Sequence, residues 1–479
     1  MRKTYTLILM LAMVFVGANS VSAQTSYTDD QGVQYSIADG KATVTGYTGS
    51  ATTITIPATV NGATFVAIGA NAFKGNTTLA TVNIESDGSN PSDLLSVGES
   101  AFEGCTSLTV VNGYLRKLID IGDKACSGCT SLVTFSNVAN KLVFAQAAYS
   151  TSIGTPVKVG KEAFKGCKFQ YLANTTNVGE LGEGCFEDCT ELANNSTSGT
   201  TALFTNLRQV PARAFKNCSK LERVGNMSHI TSYGDEAFSG CSSLITIGNT
   251  ANKLFFISKA DLGEETLTVG KEAFKGCKFQ YVSNATQVSS FGEGAFEDCA
   301  MLANDIENIF SFSGATEIPA RIFKNCVSLQ RVGNVAKVTT IGESAFEGCS
   351  VFTTYGNEAD IVRFPSGVTA IGAKAFAGCD ALVEVQVPWE TPLTITEDVF
   401  SATAYAAATL KVPVGTEDAY AAATGWEKFT NIVTGIRTIE NVENAVTNDT
   451  WYTIDGKRLQ AEPTTKGIYV RGGKKIVVK

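Results

Sequence analysis

Thirteen cysteines and a single histidine are the side chains in this sequence with the most reactive chemistry to offer. Two of the thiols form Cys126-Ser127-Gly128-Cys129, the C-x-x-C spacing used in disulfide exchange or as half of a zinc site. Redox use wants a thioredoxin-like βαβ setting, and zinc wants a second pair at similar spacing; neither accompanies this pair. His229 stands in "NMSHITSYG" with Asp235 shortly after it, but no nucleophile motif completes a triad. With 46 acidic residues, a carboxylate pair for glycoside hydrolysis stays open by count alone. Asp-Gly occurs only singly, so no calcium loop is written, and no phosphate-binding loop is present. The expectation is a protein that is not an enzyme and needs no metal or cofactor. A hydrolase grafted onto a scaffold is the remaining catalytic reading.

The cysteines make sense once their surroundings are aligned. A unit of glycine, two or three polar residues, Ala-Phe, two residues and Cys recurs twelve times, looking first for internal periodicity. Its ring slot holds Phe73, Phe102, Cys126, Phe164, Phe186, Phe215, Phe238, Phe274, Phe296, Phe323, Phe346 and Phe376. Its thiol slot holds Cys105, Cys129, Cys167, Cys189, Cys218, Cys241, Cys277, Cys299, Cys326, Cys349 and Cys379, with Asn76 in the first copy. "VGKEAFKGCKFQY" occurs identically at 159–171 and 269–281. The ring-slot spacings 38, 22, 29, 23 from Cys126 are followed by 36, 22, 27, 23 from Phe238, so a four-unit block has been duplicated, 130–241 as 242–349. "ANKLVF" (139–144) and "ANKLFF" (251–256) match within it.

Each unit has a physical reading. The "I-G" opening and the β-branched residues after the Cys suit short strands with one buried face. The segment from Lys161 to Lys165 predicts a single helical turn with Ala163, Phe164 and Cys167 inward. Glu162, Glu183, Glu272 and Glu293 would then favour the helix dipole by about 0.3–1 kcal/mol. One unit cannot bury its Phe alone but stacked neighbours can, which predicts a solenoid. Eleven thiols in one slot of successive coils read as a buried packing ladder, too far apart for disulfides.

The "IGxxAFxxCxxL" unit resembles the BspA-like leucine-rich repeat family of bacterial surface proteins, over roughly 50–390. "TLKVPVGTEDAYAAATGWEKFTNIV" (409–433) resembles that family's closing segment, with Val412-Pro413, Tyr420 and Trp426 in matching places. Asn76, Cys126 and Cys185 depart from the pattern. The resemblance implies an α/β repeat: a strand-rich leucine-rich-repeat solenoid of about twelve units with short helical turns. It also implies contacts with host extracellular proteins or other bacteria.

The ends complete the expected organisation. Arg2 and Lys3, an apolar run to Val16 and Val21-Ser22-Ala23 predict a cleaved export signal at 1–23. No later run is long enough to span a membrane. A β-rich cap at 24–65 precedes the repeats at 66–390, and a capping segment at 391–434 and a polar linker at 435–450 follow. Residues 451–479 read as a small β-hairpin module that resembles the sorting tails of Bacteroidetes exported proteins. Losing the leader takes the formal charge from −8 to −10. That acidic balance excludes nucleic acid as a partner. Function is expected on exposed surface: a monomer at the cell surface or secreted, binding an extracellular protein, with a glycan as the alternative ligand. Phe144, Tyr149, Phe255 and Phe256, the extra aromatics of the two long units, are the candidate ligand face.

Overall fold

The computed structural model describes residues 24–86, 92–145, 156–193, 202–225, 227, 229–303 and 309–436, then 451–453, 459, 462–471 and 474–478. The expected leader, residues 437–450 of the expected linker and Tyr149 lie outside these residues. Every repeat forms one coil of a solenoid with a strand in each of two parallel ladders. In the first ladder Asp120–Ile121 pairs with Ser96–Val97 before it and Val157–Val159 after it. In the second, Thr134–Phe135 pairs with Val110–Gly113 before it and Lys141–Val143 after it. Coils that all run the same way round can only align their strands in parallel. Among the described residues antiparallel pairing is confined to the N-terminal strands (Thr25–Thr28, Val33–Ala38, Lys41–Tyr47, Thr59–Val60 with Ala63–Ile68) and the C-terminal sheet of Trp451–Thr453, Gly467–Arg471 and Lys474–Val478.

The segment expected to be a helical turn is a different object. Ala163, Phe164 and Cys167 are buried as expected. The amides of Ala163, Lys165 and Cys167 bond three residues back, to Gly160, Glu162 and Phe164 carbonyls at 3.3, 3.2 and 3.1 Å. Those of Glu162, Phe164 and Gly166 donate instead to Glu183, Cys185 and Glu187 of the next coil at 2.8, 2.9 and 2.8 Å. A helix satisfies its interior amides within itself and could not join coils this way. The alternation requires a left-handed residue before the Ala and another before the Cys: Glu162 at φ 51° and Gly166 at φ 79°. All twelve copies repeat both. The second site is always Gly, Asn or Asp, which tolerate that conformation best. With no helix there is no dipole for the glutamates to complement. Glu183 pairs instead with Lys161 at 3.3 Å and Arg213 at 2.7 Å, and Glu293 with Lys271 at 3.4 Å and Arg321 at 2.7 Å.

The rings form a column through the core. Phe164, Phe186, Phe215, Phe238, Phe274, Phe296, Phe323, Phe346 and Phe376 stack in succession with centroids 5.1–6.0 Å apart. Phe73 and Phe102 stack separately at 4.9 Å. The gap between the two runs is Cys126, and Phe135 of the same coil meets Phe164 edge-on at 5.9 Å. Phe400 extends the column by one ring, 5.5 Å from Phe376, although no Gly or Cys of the repeat accompanies it. Trp426, Phe429 and Tyr405 then cover that ring, and Tyr47 lies against Phe73 at the other end.

The first ladder breaks in two places. Gly182 donates to Val159 of the preceding coil, and a Cβ there would stand 2.3 Å from the Lys161 nitrogen. In the coil after each break Pro211 and Pro319 take this glycine's place and have no amide to give. The sheets accordingly end at Val178–Leu181 and Val288–Phe291 and restart at Gln209–Val210 and Glu317–Ile318.

Candidate functional site

The reactive side chains are placed first. All thirteen cysteines are free thiols and buried. Each of the eleven thiol-slot sulfurs donates to the ring-slot carbonyl of the preceding coil, from Cys105 to Phe73 O at 3.0 Å through Cys379 to Phe346 O at 3.2 Å. A small apolar group with one weak donor suits a buried slot facing a carbonyl. Asn76 in the first copy turns its Oδ1 to the Thr78 and Leu79 amides. Burial pushes the Cys126, Cys167, Cys189 and Cys277 thiols above their ordinary range, away from the reactive thiolate. Within the C-x-x-C pair, Cys129 donates to Phe102 O at 3.0 Å and Cys126 fills the ring slot.

His229 is exposed, and Asp235 uses its carboxylate to accept the Lys271 amide at 2.7 Å. Asp123 does the same for Lys161 at 2.8 Å, so this Asp is a coil-to-coil clamp. Among the described residues no three His, Cys, Asp or Glu side chains gather as a metal cluster.

The candidate ligand face divides. Phe255 is exposed, at 38%. Phe144 and Phe256 are buried completely and cannot meet a ligand, a correction to the expectation. The cause is strand alternation: Lys253–Phe255 sends Leu254 inward and Phe255 outward, and the strand ends before Phe256, which turns in against Phe274 at 6.2 Å. Gly248 makes room for the outward ring, since a Cβ at Gly248 would stand 2.9 Å from that of Phe255.

The long units owe their length to an extra strand, and the device has three copies. Thr134, Thr246 and Thr354 are buried, and each Oγ1 accepts an amide six residues on, from Asn140, Asn252 and Asp360 at 2.9, 3.0 and 3.0 Å. This pins a short loop after which the chain re-enters the second ladder as Lys141–Val143, Lys253–Phe255 and Ile361–Arg363. The third copy, "TYGNEADIVRF", is a variant of "TIGNTANKLFF" that keeps its Thr and Gly-Asn but replaces Asn-Lys by Asp-Ile. There Glu358 and Gln386 hold the Arg363 guanidinium, beside a cleft walled by Val335, Asn357 and Pro365.

Both ladders have an outward side: the first exposes Asp120, Lys158, Glu180, Gln209 and Glu317, and the second sets out a row of half-buried side chains. Leu142, Leu172, Leu254 and Val282 point inward, while their partners in register Lys141 with Tyr171 and Lys253 with Tyr281 point out. Each lysine lies over its tyrosine ring, at 5.8 and 5.6 Å from the centroid. The ladder continues past the sheet boundaries through Ala193 N–H to Gln170 O at 2.9 Å and Ala303 N–H to Gln280 O at 2.8 Å. The arrangement is an extended, rigid face with side chains spaced by the ladder.

Comparison with known proteins matches the repeat to one family. The family described as "BspA type Leucine rich repeat region (6 copies)" matches residues 46–155, 140–245, 242–353 and 353–441. No curated protein sequence matches the chain. Among solved structures, a leucine-rich repeat protein from Bacteroides ovatus is similar at 18% identity and TM-score 0.39, covering 78% of this chain and 95% of its own. A leucine rich cell surface protein from Faecalibacterium prausnitzii shares 19% identity at TM-score 0.37, over 86% and 96%. The pneumococcal vaccine antigen PcpA shares 14% at TM-score 0.34, over 87% and 100%.

Proposed function

The chain belongs to the BspA-type leucine-rich repeat family, and on that premise we propose that it is a non-enzymatic exported protein that binds other proteins on the outward face of its second ladder. Adhesion to host extracellular proteins or to other bacteria is the use that fits such a face. The observation that carries the reading is that the repeated groups are occupied structurally. The thiols face carbonyls, the glutamates Glu183 and Glu293 bridge coils and Asp235 clamps a backbone, whereas on the outward rows of the second ladder the fold spaces half-buried Lys141, Tyr171 and Tyr281 beside the exposed Phe255. Extended faces of this kind bind large ligands in solenoids generally. Residues 1–23 act as the leader, 451–479 as the sorting tail, and the protein works as a monomer at the cell surface or in secreted form.

The test is a screen of the full chain against immobilised extracellular matrix proteins and a glycan array. Saturable binding to a protein with no glycan bound is the expected result. Glycan binding alone would transfer the protein to the accessory, sugar-binding class, and silence on both would remove adhesion.

A further inference from the structure

The two ladders carry opposite charge on their outward rows. In the second ladder Lys141 is in register with Tyr171, Arg223 with Thr246, Lys253 with Tyr281, and Arg331 with Thr354. Across the described residues of that row, from Thr81 to Ile361, no Asp or Glu occurs; the first is Glu384, which Lys411 pairs at 2.8 Å. Among the described residues the adjoining outward row, from Asn83 through Val143, Phe255 and Gly356 to Gln386, holds no carboxylate either. Glu222 and Asp360 flank the first row one residue before it. The corresponding row of the first ladder carries Asp120, Glu180 and Glu317 against Lys158 alone, and Lys158 is tied to Glu180 at 3.5 Å. In a chain of net charge −8 this segregation is the reverse of what the composition supplies. The cations also come as two copies of one pair: Lys141 and Arg223 lie at the positions that the duplicated block repeats as Lys253 and Arg331.

We propose that the second ladder's outward face is a docking surface for an extended acidic segment of a partner protein, seated along the row of Lys141, Arg223, Lys253 and Arg331. The inference rests on the protein-binding reading above and names the chemistry of the partner. Complementary charge steers and orients such an encounter. A polypeptide fits better than an acidic glycan for two reasons on this face. Sugars use open aromatic faces, whereas Lys141 and Lys253 cover the Tyr171 and Tyr281 rings. Beside the cations run Val143 and the exposed Phe255, which suit apolar side chains between acidic ones.

The experiment measures binding of the full chain to poly-L-glutamate, with polygalacturonate and single-stranded DNA as other polyanions. One variant carries Lys141→Gln, Arg223→Gln, Lys253→Gln and Arg331→Gln. A charge-matched control carries Lys158→Gln, Lys161→Gln, Lys220→Gln and Lys428→Gln. Poly-L-glutamate should bind the unmodified chain and the control alike, and the row variant about ten- to a hundred-fold more weakly, with the difference shrinking at high salt. Circular dichroism shows whether the variants remain folded, and if the fourfold row variant does not, the two double variants within it are compared instead. Equal weakening in both variants overturns the proposal, as does preference for polygalacturonate or DNA. A natural protein ligand that binds the row variant undiminished sinks this inference and leaves the protein-binding reading standing. Absence of any protein ligand sinks both.

Discussion

Replacing Phe238 by Ala tests the ring column where it is most continuous. The ring is completely buried, with Phe215 5.1 Å away on one side and Phe274 5.9 Å away on the other, both stacked. Removing a buried Phe costs about 3–5 kcal/mol through lost transfer energy and the cavity left behind. Each aromatic pair adds about 0.5–1.5 kcal/mol beyond area, and the two stacked pairs are lost together with the tilted contact to Tyr233 at 6.5 Å, which places Phe238→Ala in the upper part of that range. Phe238→Leu keeps most of the volume and forfeits chiefly the two pairs, about 1–3 kcal/mol. Because each coil touches only its neighbours, the weakened interfaces on both sides of this coil should also split the unfolding of the solenoid. Urea denaturation followed by far-UV circular dichroism reads both effects. The expected outcome is a lower midpoint and a biphasic transition for the Ala variant, with the Leu variant intermediate. A loss under about 1 kcal/mol, a single unshifted transition, or equal losses for Ala and Leu would refute the column as a stabilising element.

Three further outcomes follow from the same geometry. A thiol titration without reductant should find the native chain unreactive and all thirteen cysteines free in denaturant; a shortfall would reveal bridges. Cys126→Phe restores the repeat's own ring, yet Phe135 already packs against Phe164, so overpacking should destabilise the chain by about 1–3 kcal/mol in the same urea assay. Stability should fall as acid is added. The Lys74 hydrogen bond, then that of Ser100, hold the Glu103 carboxyl below its usual value, and bonds from Lys324 and Ser344 outweigh burial to do the same for Glu347. A carboxyl lowered in the folded state contributes stability that is complete above its unfolded value and lost as pH falls through the folded one, so the loss should lie below about pH 4.3. Glu347→Gln should lower the midpoint at neutral pH, where that contribution is complete, and flatten the acid slope so that the two chains converge in strong acid; an unchanged slope would count against the Lys324 pair.

Much of the molecule was readable in the sequence because the core repeats with the coil. A ring and a thiol at fixed places in every unit have only one consistent burial, and Phe164, Phe238 and Cys241 all lie inside. The segment from Lys161 to Lys165 departs from its expected helical turn although Glu162-Ala163-Phe164-Lys165 has the residues of a good helix, and local preference gives no hint that alternate amides bond to the next coil. Its signal was present in the position before the Cys, restricted to Gly, Asn and Asp, which are the residues that accept a left-handed backbone. Phe400 carries no repeat signature because it keeps the ring and drops the glycine and thiol that mark the other units.

The binding face was hidden for a different reason. Lys141 and Arg223 stand in unlike contexts, "ANKLVF" and "LERVG", and nothing in either phrase links them. Only the ladder's register sets them on one row, with Tyr171 beside the first and Thr246 beside the second. A repeat therefore advertises the residues that build the coil and conceals those that the coil displays, since display depends on register between units rather than on pattern within one. Duplication of the four-unit block partly lifts that concealment. It copied the lysine and the arginine together with their neighbours, and a charge pair copied onto an otherwise acidic chain is the kind of feature that the core alone does not require.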